Sequence, residues 1–231
     1  MNRTDAIRLL RENKNERGIE HWKRRPRTLR SFGIGLTQLR KLAKKIGRDH
    51  ALALKLWKTD IYDAKILGLL IDDPTLITRN QVEEQVEELH EGHLAHVFSS
   101  CDSTLTKTSF VFDLCRDWME HSCESRRRCA YGLLYELSRM KQIIEGMDED
   151  FFMERILFIQ DRIRSEEMWV REAMNTALMG IGKRTRKLNT AAIRAAKKIG
   201  PVEIDYGDDN SCQPLDVLKH LTSDSVKKKF A

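Results

Sequence analysis

Along most of the chain apolar residues return every three or four positions, the spacing of helices that bury one face. That period predicts helices over 4–17, 36–47, 49–57, 60–71, 78–91, 93–101, 104–120, 125–143, 149–163, 165–182, 189–199 and 212–221. Local chemistry marks several ends. Asp49 and Asp148 stand where a side-chain oxygen accepts from the free amides of a first turn, and Thr78 with Gln81 reads as a capping box. Ser165 precedes Glu166 and Glu167, whose charges suit the positive end of a helix dipole. Gly47, Gly146 and Gly200 fall where helices close on a left-handed residue. No segment alternates apolar and polar residues for long enough to argue a sheet, so the fold class is all-α.

Helices in paired succession with short connections suit stacked hairpins, a HEAT-like helical-repeat solenoid (an α-α superhelix). Each hairpin of such a fold buries its stripe on the next and leaves a concave face for a partner. A compact bundle is the alternative, because the sequence carries no crisp repeat. The expected organisation is a single repeat domain over 1–223 and a basic tail over 224–231, with Lys227, Lys228 and Lys229, that frays. The acidic stretch 201–214 reads as an irregular cap on the last repeat.

Composition narrows the setting. The 231 residues suffice for one sizeable domain or a short solenoid, and 41% are apolar against 33% charged. No run approaches the roughly 20 apolar residues of a membrane span, and the polar N-terminus lacks a secretory core. A cytoplasmic monomer with no membrane association is therefore expected. Five cysteines without a C-x-x-C pair read as reduced thiols. The net charge is +6, and its distribution is uneven. His21 to Arg48 holds ten Lys or Arg and no acid, and Ile181 to Gly200 holds seven and none. Between them, Asp60 to Glu91 holds nine acids against two bases. Segregation on this scale points to fields aimed at a partner, with separate solvated faces as the plain alternative.

Within the first basic segment, Arg40 and Lys44 suit phosphate contacts, while Trp22 is either a stacking platform or, more commonly, core. Lys183, Arg184, Arg186 and Lys187 offer a second phosphate site, since the spacing around Gly180 and Gly182 does not make a nucleotide loop. His90, His93 and His96 could share a metal only if a helix continued through Gly92, and Cys115, His121 and Cys123 lack paired ligand spacing, so neither a metal nor a cofactor is expected. Asp102 either caps the helix that follows it or serves as an acid in a cleft. Arg126, Arg127 and Arg128 span about 200° of a helix, so at least one faces inward or toward a partner.

Several runs, in order and at matching spacing, resemble the AlkD-like DNA alkylation repair family over roughly residues 20–216. Phe32 to Lys44 is similar to its G-x-x-x-x-x-L-R-x-L-A-K element, and Leu56 to Lys65 to its L-W-x-S-x-x-x-E-A-R hairpin, with Asp63 for Glu and Lys65 for Arg. Asp72-Asp73-Pro74 follows at the expected place, and Phe98 to Asp102 resembles the W-x-x-x-D catalytic element. Arg128 to Leu133 is similar to R-x-G-[FY]-x-L, and Val170 to Arg184 to V-R-K-A-x-x-W-A-L-R-x-I-G-K-R. Asp205-Tyr206-Gly207, with Cys212 and Pro214, resembles the C-terminal signature of one branch.

The resemblance implies a HEAT-like solenoid that holds double-stranded DNA in a basic groove without sequence preference and excises N3- or N7-alkylated purines. Asp102 would stabilise the cationic sugar, Phe98 would form an aromatic wall, and Arg128, with Arg127 beside it, would contact the phosphate backbone. At the functional positions the chain departs from the pattern at three residues. Phe98 replaces the first Trp, Thr176 the second, and Met179 an Arg. The expected function is DNA binding with weak, altered or lost base excision. An active glycosylase and a protein-interaction solenoid are the alternatives.

Overall fold

The computed structural model describes residues 1–24, 26–100, 103–142, 144–206 and 213–230. Among them are fourteen α-helices and two 3-10 turns, with one isolated bridge between Arg30 and Ile61 and no strand. The chain forms two compact units, Met1–Ser109 and Phe110–Ala231.

The first unit holds α1 (Arg3–Glu12), α2 (Glu16–Lys23), α3 (Leu36–Ile46), α4 (His50–Trp57), α5 (Tyr62–Ile71), α6 (Arg79–Val86) and α7 (Leu94–Ser99). A 3-10 turn, Leu105–Lys107, follows. Every residue of α5 is buried, and α1, α3, α4 and α7 pack around it. A helix apolar on all sides has only the core to occupy, and the two charged members of α5 are buried with partners. The Asp63 carboxylate accepts from Ser31 Oγ at 2.9 Å and from the amides of Phe32 and Ile34 at 2.7 and 2.9 Å. Burial nonetheless pushes its pKa up. Lys65 donates to the Trp57 carbonyl at 2.6 Å and to Glu88 Oε2 at 2.7 Å, with its ammonium 4.4 Å from the Trp57 ring centroid.

The second unit holds α8 (Val111–Trp118), α9 (Glu124–Arg139), α10 (Glu149–Arg162), α11 (Met168–Gly182), α12 (Arg186–Ile199), α13 (Val217–Leu221) and α14 (Asp224–Phe230). Its centre is the α9–α11 pair, flanked by α8 and α12. Gly180 permits the close crossing, because a Cβ there would lie 2.4 Å from Ser138 Oγ and 2.7 Å from the Tyr135 ring.

Several boundaries differ from the periodic reading. The helix expected over 4–17 breaks at Asn13–Asn15, where the Asn15 side chain accepts from the Gly18 amide and starts α2. The helix expected to reach residue 91 ends at Val86, and Gly92 adopts a φ of 56°. Thr78 does accept from the Gln81 amide, but the Gln81 side chain turns to Asp72 Oδ2 at 2.7 Å and leaves the capping box one-sided. Gly146 lies in a loop beyond α9, which ends at Arg139. Residues 224–230, expected to fray, form α14 and bury Val226. No helix among the described residues is long and apolar enough to cross a membrane.

Candidate nucleic-acid interface

In the first unit the basic residues of α3 converge with two others on an open cleft of about 250 Å³. Arg40 and Lys44 stand at i and i+4, on one helical face. Gly47, with a φ of 81°, closes α3 and carries the chain to Arg48. Arg48 Nη1 then donates to the carbonyls of Leu70 and Asp72, both at 2.9 Å, and so covers the free carbonyl end of α5. Lys107 arrives from the 3-10 turn. That turn is built by hydroxyls: Thr104 Oγ1 donates to the Leu69 carbonyl at 3.0 Å, Thr106 Oγ1 to Ser103 at 2.7 Å and Thr108 Oγ1 to Leu105 at 2.9 Å. Ala43, Gly47 and Leu70 complete the lining, so among the described residues the cleft is lined by four cations and no acid. Arg48 is fixed by neutral carbonyls, and the Asp73 carboxylate is near enough to feel its charge. Four cations around one concavity make a surface that attracts phosphate oxygens.

The periodic reading anticipated Arg40 and Lys44 but not Arg48 and Lys107. Arg48 belongs to the same acid-free run, which was the available signal. Lys107 is an isolated base whose place depends on tertiary packing.

The basic segment before α3 is pinned down. Trp22 Nε1 donates to the Leu29 carbonyl at 2.9 Å, and its ring lies 4.3 Å from that of Tyr62. Arg27 sits 4.7 Å over the Trp22 ring. Glu91 takes the Thr28 amide at 2.7 Å and its hydroxyl at 2.5 Å, while Arg30 makes a two-pronged pair with Asp60. Trp22 is thus a half-buried packing element that carries a cation on its ring.

In the second unit the three consecutive arginines diverge. Arg126 lies 5.9 Å over the Trp118 ring. Arg127 turns inward to Glu166 at 3.0 Å, to Glu167, and to the carbonyls of His121 and Ser122. The two glutamates expected at the start of α11 therefore serve Arg127, and α11 itself begins at Met168 without a side-chain cap. Arg128 is half-buried over Trp169, 4.9 Å from the ring centroid, and among the described residues no carboxylate or carbonyl pairs with it.

The 183–187 run is also divided. Arg184 donates to the carbonyls of Ser138 and Met140 at the end of α9 and lies 4.7 Å over Phe152. Lys187 pairs with Glu149 at 3.0 Å, and Thr185 caps α12. Arg186 is exposed, and Lys183 is half-buried with its Nζ 3.5 Å from Met179 Sδ. Burial, and then Arg139 nearby, lowers the pKa of Lys183.

Asp102 lies outside the described residues. Phe98, on α7, is 2% exposed and lines an internal void of about 10 Å³ with Asp72, Gln85 and Thr104, so its ring belongs to the core of the first unit. Thr176 is half-buried on α11, and Met179 is buried one turn later. Gly92 interrupts the histidine series, leaving the His93 and His96 rings 6.3 Å apart, and no group of three possible metal ligands occurs among the described residues.

An all-helical scaffold that gathers cations into a cleft defines a helical-repeat class of protein with a basic concavity. The chain belongs to the DNA alkylation repair enzyme family, whose sequence profile matches residues 6–206. Among its relatives, the uncharacterized protein Lin0241 of Listeria innocua is 24% identical over 198 residues, covering 85% of this chain and 84% of the relative. The uncharacterized protein Lmo0209 of Listeria monocytogenes is 23% identical with the same coverage. A solved structure from a new family of proteins related to the HEAT-like repeat DNA glycosylases, with affinity for branched DNA structures, superposes with a TM-score of 0.81 at 20% identity. It covers 99% of this chain and 94% of that one. The fold is therefore HEAT-like, the solenoid reading over the compact bundle that the helical period left open.

Proposed function

We propose that the protein binds DNA through its phosphates, as a monomer and without strong sequence preference, and that its base excision is weak, altered or lost. The basic cleft of Arg40, Lys44, Arg48 and Lys107 carries this reading. A phosphate placed there meets several cations, while condensed counterions leave the DNA. The affinity of the solved neighbour for branched DNA supports the choice of nucleic acid as the partner.

The chemistry of α11 supports the second half of the reading. Thr176 has no π face for a cationic base, Met179 has no charge, and the Phe98 ring is engaged in the core. A missing aromatic contact weakens the hold on an alkylated base by about 0.5–2 kcal/mol. Titration of labelled duplex at two salt concentrations, together with release of 7-methylguanine from methylated duplex, tests the proposal. Salt-dependent binding with little or no base release is expected. Absence of binding at low salt would favour a protein partner, and brisk release would establish an active glycosylase.

A further inference from the structure

The cleft suits a phosphate, but the surroundings of Arg128 suit a different group. Arg127, one position earlier, is occupied by two carboxylates and two carbonyls. Arg128 has no such partner among the described residues and lies 4.9 Å over the Trp169 ring. Trp169 in turn meets Tyr206, with ring centroids 6.0 Å apart at 58°. Tyr206 is fastened by its hydroxyl, which donates to Glu172 Oε1 at 3.0 Å. Glu172 stands one turn along α11 from Trp169, on the same helical face. All four side chains are half-buried, so each keeps some surface in solvent.

An indole with a guanidinium over its face and a phenol ring tilted against it form an aromatic surface with a cationic top. The acid beside them matters. A phosphodiester approaching Tyr206 meets the charge of Glu172, whereas a neutral nucleobase does not. A guanidinium backed by an indole offers a flat, weakly hydrated face on which a base can stack, and its edge keeps N–H groups for the base or its sugar. A base inside an intact duplex is covered on both sides by its neighbours. The base that fits is one already out of the stack.

We infer that Arg128, seated on Trp169 and flanked by Tyr206, is a stacking site for an unpaired nucleobase. The protein therefore prefers DNA carrying a bulged, flapped or single-stranded nucleotide to plain duplex. This rests on the reading of the protein as DNA-binding, and it assigns to this site a specificity that the phosphate cleft does not provide.

The test compares the full chain and its variants on two labelled probes, a plain duplex and the same duplex with a single-nucleotide bulge. Wild-type protein is expected to bind the bulged probe more tightly. Trp169→Leu is expected to lower affinity for the bulged probe by about tenfold and to leave duplex affinity within about twofold. Arg128→Lys, which keeps the charge and loses the planar face, is expected to abolish the preference in the same way. If Trp169→Leu unfolds, Trp169→Phe with Arg128→Lys supplies the same comparison, with thermal melting as the folding control.

Equal wild-type affinity for both probes overturns this inference and leaves the DNA-binding reading intact. An Arg128→Lys variant that retains the full preference also overturns it, because charge alone would then suffice. Binding to neither probe overturns both readings.

Discussion

His50 Nδ1 lies 2.6 Å from Asp72 Oδ1, so the start of α4 is tied to the end of α5 through a carboxylate that is almost wholly buried. The same Asp72 also accepts from Gln81 Nε2 at 2.7 Å and from the Asp73 amide at 2.8 Å. Its backbone carbonyl holds Arg48 at the rim of the cleft. Removing this carboxylate strands three donors at once. Asp72→Ala is expected to cost about 2–3 kcal/mol of stability, measured by denaturant unfolding. Because Arg48 is held by the main chain, DNA affinity below the unfolding transition should fall much less than stability does.

The cleft predicts a salt signature. Each phosphate contact removed reduces the steepness of affinity against salt by about one unit on logarithmic axes. Lys44→Ala and Lys107→Ala should each lower this slope in that way, while Lys41→Ala, an exposed position that does not line the cleft, should leave it unchanged. Titrations of one duplex at four salt concentrations for each variant measure the slopes.

Acid should loosen the loop at Thr28 and Leu29 that receives the Trp22 hydrogen bond. Burial acts to raise the Glu91 carboxyl, but the hydroxyl and amide of Thr28, the Leu29 amide and Arg27 outweigh it and hold the pKa below the ordinary value. A carboxyl depressed in the folded state contributes stability above its unfolded pKa, about 4.3, and that contribution disappears as pH falls through the lower folded value. Hydrogen exchange at Thr28 and Leu29, after correction for the intrinsic pH dependence, should accelerate selectively over that acidic range. Glu91→Gln should show the loosened loop already at neutral pH.

The α9–α11 crossing has little tolerance for volume. Gly180→Ala would push a methyl against Ser138 Oγ and the Tyr135 ring. A cost of about 1–3 kcal/mol is expected, read as a lowered melting temperature.

Excision chemistry is expected to respond at position 176. Thr176→Trp should raise release of 7-methylguanine from whatever low level the native protein has, wherever the indole can be accommodated. Asp102→Asn should remove the release, because loss of one well-placed electrostatic stabiliser costs about 10²–10³-fold in rate. Persistence of release in Asp102→Asn would place the stabilising charge on another residue.

The helical class was legible because burial imposes its period directly on the sequence, most clearly in α5, where the apolar run is nearly unbroken. Family-like motifs gave the order of elements correctly, but much of their content is structural. Asp63 ties the 31–34 loop to α5, and Trp57 with Lys65 holds Glu88, so these residues build the scaffold away from the cleft. The site was harder to read. Three adjacent arginines look equivalent in a sequence, and only packing against Glu166 and Glu167 removes Arg127 from the surface role expected of it. Lys107 was invisible for the opposite reason, since its place depends on where Thr104 fixes a turn against α5. The break at Asn13–Asn15 escaped notice because asparagines on a polar face read as solvent positions until a side chain is seen to cap a new helix.

Arg48 and Lys107 bring like charge to one cleft under different constraints. Arg48 also closes the end of α5, so any lineage that keeps this fold has reason to keep it, whether or not DNA is ever bound. Lys107 is exposed on a turn held by its threonine neighbours and has no such second employment. Drift would be free to replace it as soon as binding ceased to matter. Among orthologues, the fate of position 107 is therefore a record of selection on binding, while that of position 48 records selection on folding as well.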